Sequence, residues 1–199
     1  MGERITSRTR KAVETRKNVL EHGIRLIRTR GFEKVSVNDI AKSAGVSVGT
    51  FYYYYPSKED LLKGMPWRID TYFEKEVVGK LTSGDCAGNI KIFFSYYAKH
   101  TKKHGWSIIK NLFATDTAFV ISDKRFLQIV LLDLIEKGQR GGDVTKNIPA
   151  KEIMRFMLIA AHGVALDWAM SKGKSDIFTD MEEITGRLFQ TFLVTKKEK

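Results

Sequence analysis

The sequence predicts an all-α protein in two parts, a small N-terminal helical head and a larger helical body. Three observations carry this. Apolar residues recur at helical rather than strand spacing along most of the chain. Only 3 prolines interrupt 199 residues, and glycines fall between the periodic stretches, at Gly84, Gly88, Gly105, Gly141-Gly142 and Gly173. Serines stand before three short runs, where a hydroxyl can cap a helix N-terminus. The boundary is expected after residue 63, giving segments 1–63 and 64–199. No strand alternation, internal repeat or low-complexity tract is evident.

The first helix is expected over 16–30, with Val19, Leu20, Gly23, Ile24 and Ile27 at helical spacing and Gly31-Phe32 ending it. A glycine mid-helix costs about 1 kcal/mol relative to alanine, so Gly23 implies close helix packing. Ser36 can cap a second helix opening Val37-Asn38-Asp39, with Asp39 near the positive end of the dipole. That helix must stop after Ala44, where Gly45 can take a positive φ. Ser47 can cap a third helix from Val48 to about Tyr54, and Ser57, with Asp60 three residues on, a fourth. Further helices are expected near 58–81, 87–104, 106–114, 123–140, 149–172 and 178–195. Pro66 falls inside the first of these and should kink it. The Gly64–Pro66 break reads either as a joint between head and body or as a static kink.

The run Tyr52-Tyr53-Tyr54-Tyr55 follows Phe51. Successive helical residues turn by about 100°, so these aromatics cannot all form a core stripe. Some face solvent or a partner. Two short helices parted by a tight turn make a helix-turn-helix, whose second helix presents its N-terminal end to base edges in the major groove of double-stranded DNA. Thr50 can bond a base or phosphate and touch a thymine methyl. Gly49 lets the backbone approach closely. Tyr52, Tyr53 and Tyr54 place hydroxyls where a phosphate can lie, and Lys58 adds a cation at the start of the next helix.

These residues resemble the DNA-binding domain of the tetracycline-repressor (TetR) family of bacterial regulators. The likeness rests on Gly31-Phe32, Ser36-Val37, Ile40-Ala41, Ala44-Gly45-Val46-Ser47, Gly49-Thr50-Phe51-Tyr52 and Ser57-Lys58-Glu59, and covers about a quarter of the chain. It implies an all-α homodimer whose N-terminal three-helix domain binds operator DNA and whose C-terminal helical domain binds a small-molecule effector that releases the DNA. The family's DNA contacts carry over to Ser36, Val37, Asn38, Ser47, Val48, Gly49, Thr50, Tyr52, Tyr53, Tyr54 and Lys58. Tyr54 departs from the histidine often found there, and Tyr55 from the usual phenylalanine.

Charge agrees with this reading. The net charge is +11, and the basic excess is denser in the first 65 residues than in the rest, as a DNA-facing segment requires. Arg4, Arg8, Arg10, Lys11, Arg16 and Lys17 precede or open the first helix. They read as a solvated tail or as an arm along the phosphates.

In the body, the aromatics suit an apolar pocket between helices as well as an ordinary core. Phe93, Tyr97, Trp106, Phe113 and Trp168 are the pocket candidates. Met157, Ala160 and Val164, with Met181, Ile184, Leu188 and Phe192, are the dimer-interface candidates for a four-helix bundle.

Several chemistries find no support. No phosphate-cradling loop, nucleophile elbow or zinc-protease pair occurs, so no catalytic residue and no cofactor is expected. His100 and His104 are four apart but sit in the cationic KHTKKHG context and read as surface histidines rather than metal ligands. His22 and His162 read as isolated. The single cysteine, Cys86, cannot form an intrachain disulfide, and Asp85 beside it disfavours a reactive thiolate. No apolar run is expected to reach the roughly 20 residues of a membrane span, and none opens the chain. The expectation is a soluble cytoplasmic protein. Its leading role is a ligand-responsive, sequence-specific transcription regulator, a repressor. The alternative is a DNA-binding regulator without a small-molecule switch, whose body binds a protein.

Overall fold

The computed structural model describes residues 7–63, 66–115 and 125–194. The fold is all-α; among the described residues the sole extended pairing is one antiparallel bridge, Val144 with Leu193. The chain divides into two compact units, Met1–Met65 and Pro66–Lys199.

The first unit holds α1 (Ser7–Arg30), α2 (Val37–Ala44), α3 (Val48–Tyr54) and α4 (Lys58–Lys63). α1 starts nine residues before the expected start at Arg16. The segment before Arg16 lacks an apolar stripe, but it holds arginine, lysine, alanine and glutamate and no proline or glycine. Such residues extend a helix readily once the anchored part has nucleated it. Arg8, Arg10 and Lys11 are therefore exposed helical residues rather than tail, while Arg4 lies outside the described residues.

Val19, Leu20, Ile24 and Ile27 of α1 form the core of this unit with Phe32, Val35, Ile40, Ala41, Phe51, Tyr55, Leu61 and Leu62. Gly23 is where α1 meets its neighbours most closely. A Cβ built there would stand 2.7 Å from Leu61 Cδ1 and 3.4 Å from Ile40 Cγ2.

α2, α3 and α4 have 8, 7 and 6 residues, too short to persist alone, and each is held by a serine. At α2 a capping box forms: Asp39 N–H donates to Ser36 Oγ at 3.1 Å and Ser36 N–H to Asp39 Oδ2 at 2.9 Å. At α3 the Thr50 N–H donates to Ser47 Oγ at 3.0 Å. Before α4 the Asp60 N–H donates to Ser57 Oγ at 3.0 Å. Gly45 ends α2 at φ 68°, and the Val46 N–H closes back on the Ala41 carbonyl at 3.0 Å.

The second unit opens with α5 (Pro66–Tyr72), which runs into a π-helical turn (Phe73–Val77) and a 3-10 turn (Val78–Lys80). Of the helix expected over 58–81, the described residues give α4 up to Lys63 and, from Pro66, α5 with the two turns that end at Lys80. Pro66 is the first residue of α5 as described, and the kink expected there involves residues 64 and 65, which lie outside the described residues. Gly64 of the expected joint lies outside the described residues.

α6 (Cys86–His104), α7 (Trp106–Thr115), α8 (Phe126–Gly141), α9 (Ala150–Met170) and α10 (Ile177–Gln190) follow. Residues 123, 124 and 195 of the expected helices lie outside the described residues. α9 packs on α7, α8 and α10, and α6 on α8 and α10. Phe73, Phe93, Phe94, Leu131, Ile135, Ile153, Met157, Ala161 and Met181 fill the core between them. α9 is long and apolar enough by composition to cross a membrane, against the expectation that no such run exists, and 56% of its most apolar stretch is buried inside this fold.

Candidate nucleic-acid interface

α3 is oriented by Phe51, which is fully buried, and by Tyr55 at its C-terminal end. The Tyr55 hydroxyl donates to the Arg16 carbonyl at 3.1 Å, and the Arg16 guanidinium lies 5.6 Å from the centre of its ring. The extra hydroxyl relative to the family's usual phenylalanine therefore has its own acceptor on α1.

With that side inward, the opposite side of α3 is presented outward. Tyr53 is 80% exposed and Tyr52 52%. Ser47, Val48 and Gly49 are exposed at the N-terminal end, and Thr50 and Tyr54 are half-buried. The Tyr53 and Tyr54 rings meet edge to face, centroids 4.9 Å apart, which stiffens the pair as a unit. From α2, Ser36 and Asn38 are exposed and Val37 half-buried. Thr50 Oγ1 lies 2.8 Å from Ser47 Oγ, so the residue that caps the helix also sets the Thr50 rotamer.

Lys58 is placed differently from the sequence reading. Its Nζ donates to the carbonyls of Phe32 at 2.7 Å and Val35 at 3.0 Å, and sits 4.1 Å from the centre of the Phe32 ring. Two of its three N–H groups are engaged within the unit, so its first role is to tie α4 to the α1–α2 turn. This placement follows from charge chemistry: an ammonium beside two backbone carbonyls bonds both at once.

Sequence reading missed a polar seam between α1 and α2. Asn18 Nδ2–H donates to the Ala44 carbonyl at 2.8 Å, and His22 Nδ1 lies 2.9 Å from Ser43 Oγ. Arg25 Nη2–H reaches both His22 Nδ1 at 3.0 Å and Ser43 Oγ at 3.2 Å. His22 is therefore not isolated. The signal was present: Asn18, His22 and Arg25 are spaced four and three apart, one polar line along a helix. The seam closes the C-terminal end of α2, just before the turn that aims α3. At the other end of α2, hydrogen bonds from the Ser36 side chain and then its backbone, aided by Arg30 and Lys42, hold the Asp39 carboxyl below the usual range.

In the second unit the pocket candidates separate. Phe93, Tyr97 and Trp168 lie in the core, Phe113 is half-buried against it, and Trp106 is partly exposed at the start of α7. Trp106 borders Gly173 rather than the core: a Cβ on Gly173 would meet Trp168 at 3.4 Å and Trp106 at 3.5 Å. His162, read as isolated, stands between Tyr97 and Phe113, with ring centroids 6.0 and 5.6 Å away. Its Nδ1 is sealed from solvent and has no hydrogen-bond partner; burial, with Arg125 nearby, pushes its pKa down to about 4. Tyr72 Oη is likewise sealed and unpartnered, and burial raises its pKa. His100 and His104 are not surface residues. His104 is buried, and the two Nε2 atoms lie 3.2 Å apart. Among the described residues no group of three or more His, Cys, Asp or Glu is placed to hold a metal ion. Cys86 is buried, its Sγ–H donating to the Leu134 carbonyl, and burial pushes its pKa to about 11.

The dimer candidates separate too. Met157, Val164, Met181 and Phe192 point into the core of their own unit. Ala160 and Leu188 are half-buried and Ile184 is exposed. α9 carries two apolar faces, and periodicity does not say which faces its own core. The outward one reads Ile159, Gly163, Leu166 and Met170, and on α10, which packs against α9, Ile184 is exposed.

Residues 19–65 match the family model described as bacterial regulatory proteins, tetR family. The HTH-type transcriptional regulator EthR of Mycolicibacterium smegmatis is 35% identical over 101 residues, 47% of this chain and 46% of that protein. The chain thus spans about half the length of that curated relative. Two solved structures share the fold. A TetR-family transcriptional regulator from Pectobacterium atrosepticum superposes with a TM-score of 0.77 at 16% identity, covering 94% of this chain and 98% of its own. Thermus thermophilus FadR, a TetR-family transcriptional repressor in complex with lauroyl-CoA, gives 0.73 at 22% identity, covering 92% and 98%. The head of this chain thus matches the model of the tetR family of bacterial regulatory proteins, and the fold is shared along the chain with structures of regulators from that family.

Proposed function

We propose that the chain is a homodimeric, sequence-specific DNA-binding transcription regulator of the cytoplasm, a repressor released from a palindromic operator by a small molecule. The observation that carries this is the outward face of α3, where Ser47, Val48, Gly49, Thr50, Tyr52 and Tyr53 lie on a helix locked from behind by Phe51 and Tyr55. Side chains of this kind on the N-terminal end of a short helix fit a major groove, and tyrosine hydroxyls fit phosphates.

A single seven-residue helix reads too little DNA for useful affinity, so two heads are needed. The outward stripe of Ile159, Gly163, Leu166 and Met170 with Ile184 and Leu188 supports pairing of two copies through α9 and α10. Small-molecule control is supported by the sealed, unpartnered polar atoms in the body and by the fold neighbour held with lauroyl-CoA.

The test is selection of duplex DNA from a random pool, followed by fluorescence anisotropy at several salt concentrations. Enrichment of a palindrome, bound by two chains and lost in Tyr53→Ala, is expected. Binding of all duplexes alike would overturn the sequence-specific role. Failure of every metabolite tried to release the duplex, with a protein captured by the body instead, would favour a regulator without a small-molecule switch.

A further inference from the structure

Among the described residues three buried side-chain polar atoms have no hydrogen-bond partner, Ser175 Oγ and two that lie among aromatic rings. His162 Nδ1 and Tyr72 Oη are both sealed from solvent, and neither has a hydrogen-bond partner. Leaving a buried donor or acceptor unmade is costly, and each instance calls for an explanation. Their surroundings are aromatic. His162 stands between Tyr97 and Phe113 at 6.0 and 5.6 Å, and Tyr72 lies against Phe73, Tyr96 and His100 at 5.9, 6.4 and 4.9 Å. α6 links the two groups, since Tyr96, Tyr97 and His100 lie within two turns of it.

The charges nearby are already matched. Arg125 Nε–H donates to Asp70 Oδ2 at 3.3 Å, and the Leu127 N–H donates to Asp70 Oδ1 at 3.2 Å. Arg125, near enough to act on both Tyr97 and His162, therefore does not supply an unbalanced cation. His162 itself stays neutral at physiological pH, because burial and Arg125 both oppose its protonation. An anionic guest would lose its hydration without gaining an unmatched cation, and it would face the Glu76 carboxylate that acts on Tyr72. A cationic guest would meet no carboxylate within the ring cluster itself, Glu76 being exposed. A neutral planar guest would stack on the rings, and its hydroxyl would partner an orphaned atom.

We propose that the effector site lies among Tyr72, Tyr97, Phe113 and His162, and that it takes a neutral aromatic compound bearing a hydroxyl group. This rests on the reading of the chain as ligand-responsive and names the class of ligand.

The probes are 4-ethylphenol, ethylbenzene, which lacks the hydroxyl, and 4-ethylbenzoate, which carries a charge, titrated calorimetrically into the full chain. The phenol should bind at least tenfold more tightly than either of the others. His162→Phe should remove the preference of phenol over ethylbenzene. Tyr72→Phe, which deletes one oxygen atom and leaves the packing intact, should reduce it. Equal affinities in the unaltered chain, tightest binding of the benzoate, binding of none of the three, or an unchanged preference in both variants would overturn the assignment. Operator binding followed in the same samples separates the two readings. Phenol binding that depends on His162 but leaves the duplex held defeats release by this ligand and keeps the site. Release of the duplex by 4-ethylbenzoate alone, with no phenol binding, does the reverse.

Discussion

The Lys58 ammonium lies 2.7 Å from the Phe32 carbonyl and 4.1 Å from the centre of the Phe32 ring, so one side chain clamps both the backbone and the face of a residue 26 positions earlier. Lys58→Met keeps the stem and removes both carbonyl bonds and the cation–π contact. It should lower stability by about 2 kcal/mol, read as a reduced urea midpoint followed by circular dichroism. An unchanged midpoint would mean that water replaces the clamp without loss.

Gly23 meets Leu61 and Ile40 where a methyl has no room. Gly23→Ala gains about 1 kcal/mol in helix propensity but forces fully buried Leu61 to shift, and overpacking costs about 1–3 kcal/mol. A net loss is expected in thermal melts. A gain in melting temperature would show that Leu61 has a free alternative rotamer.

These two residues show what was legible in the chain. Gly23 could be read because a glycine mid-helix is unfavourable unless something needs the space. The three serine caps and the positive φ of Gly45 were legible for the same local reason, being set by residues within a few positions. Lys58 was not, because its partners depend on how α4 returns to the α1–α2 turn. The early start of α1 is not legible in the apolar pattern, because the segment before Arg16 carries no stripe, although arginine, lysine and glutamate are good helix formers. In the body, the inward placing of Met157 and Val164 is not legible, since a helix with two apolar faces does not label which one is inward. His162 escaped because its neighbours Tyr97 and Phe113 come from two other helices.

Tyr53, at 80% exposure, contributes little packing. Tyr53→Ala should change stability by less than about 0.5 kcal/mol, while weakening binding of the selected duplex at least tenfold. Anisotropy on the folded variant checks this, and full affinity would remove Tyr53 from the interface.

On the outward stripe, Ile159 is 48% and Ile184 47% exposed. Ile159→Glu with Ile184→Glu should yield folded monomers by sedimentation equilibrium, whereas Met157→Glu, at a buried position, should unfold the body. A double variant that sediments as the unaltered chain does would place the pairing surface elsewhere.

His162 adds a pH dependence. Its pKa falls from 6.5 to about 4 on folding, so the unfolded chain binds the proton more readily. Its contribution is complete above about pH 6.5 and is lost as pH falls toward 4, by on the order of 3 kcal/mol. The Asp39 and Asp60 carboxyls, whose hydrogen bonds lower their pKa values, lose stability only further down, below the carboxylate range. Denaturation midpoints between pH 7 and 4.5 should therefore decline in the unaltered chain and stay flatter in His162→Phe. Parallel slopes would assign the decline to other groups.

None of α2, α3 and α4 exceeds two turns or so, and their shared core is built on Val19, Leu20, Ile24 and Ile27 of α1. The tyrosine-bearing segment thus has no conformational life of its own: a cavity opened at Leu20 or Ile27, on a different helix and far along the chain, should silence recognition as surely as damage to the tyrosines themselves.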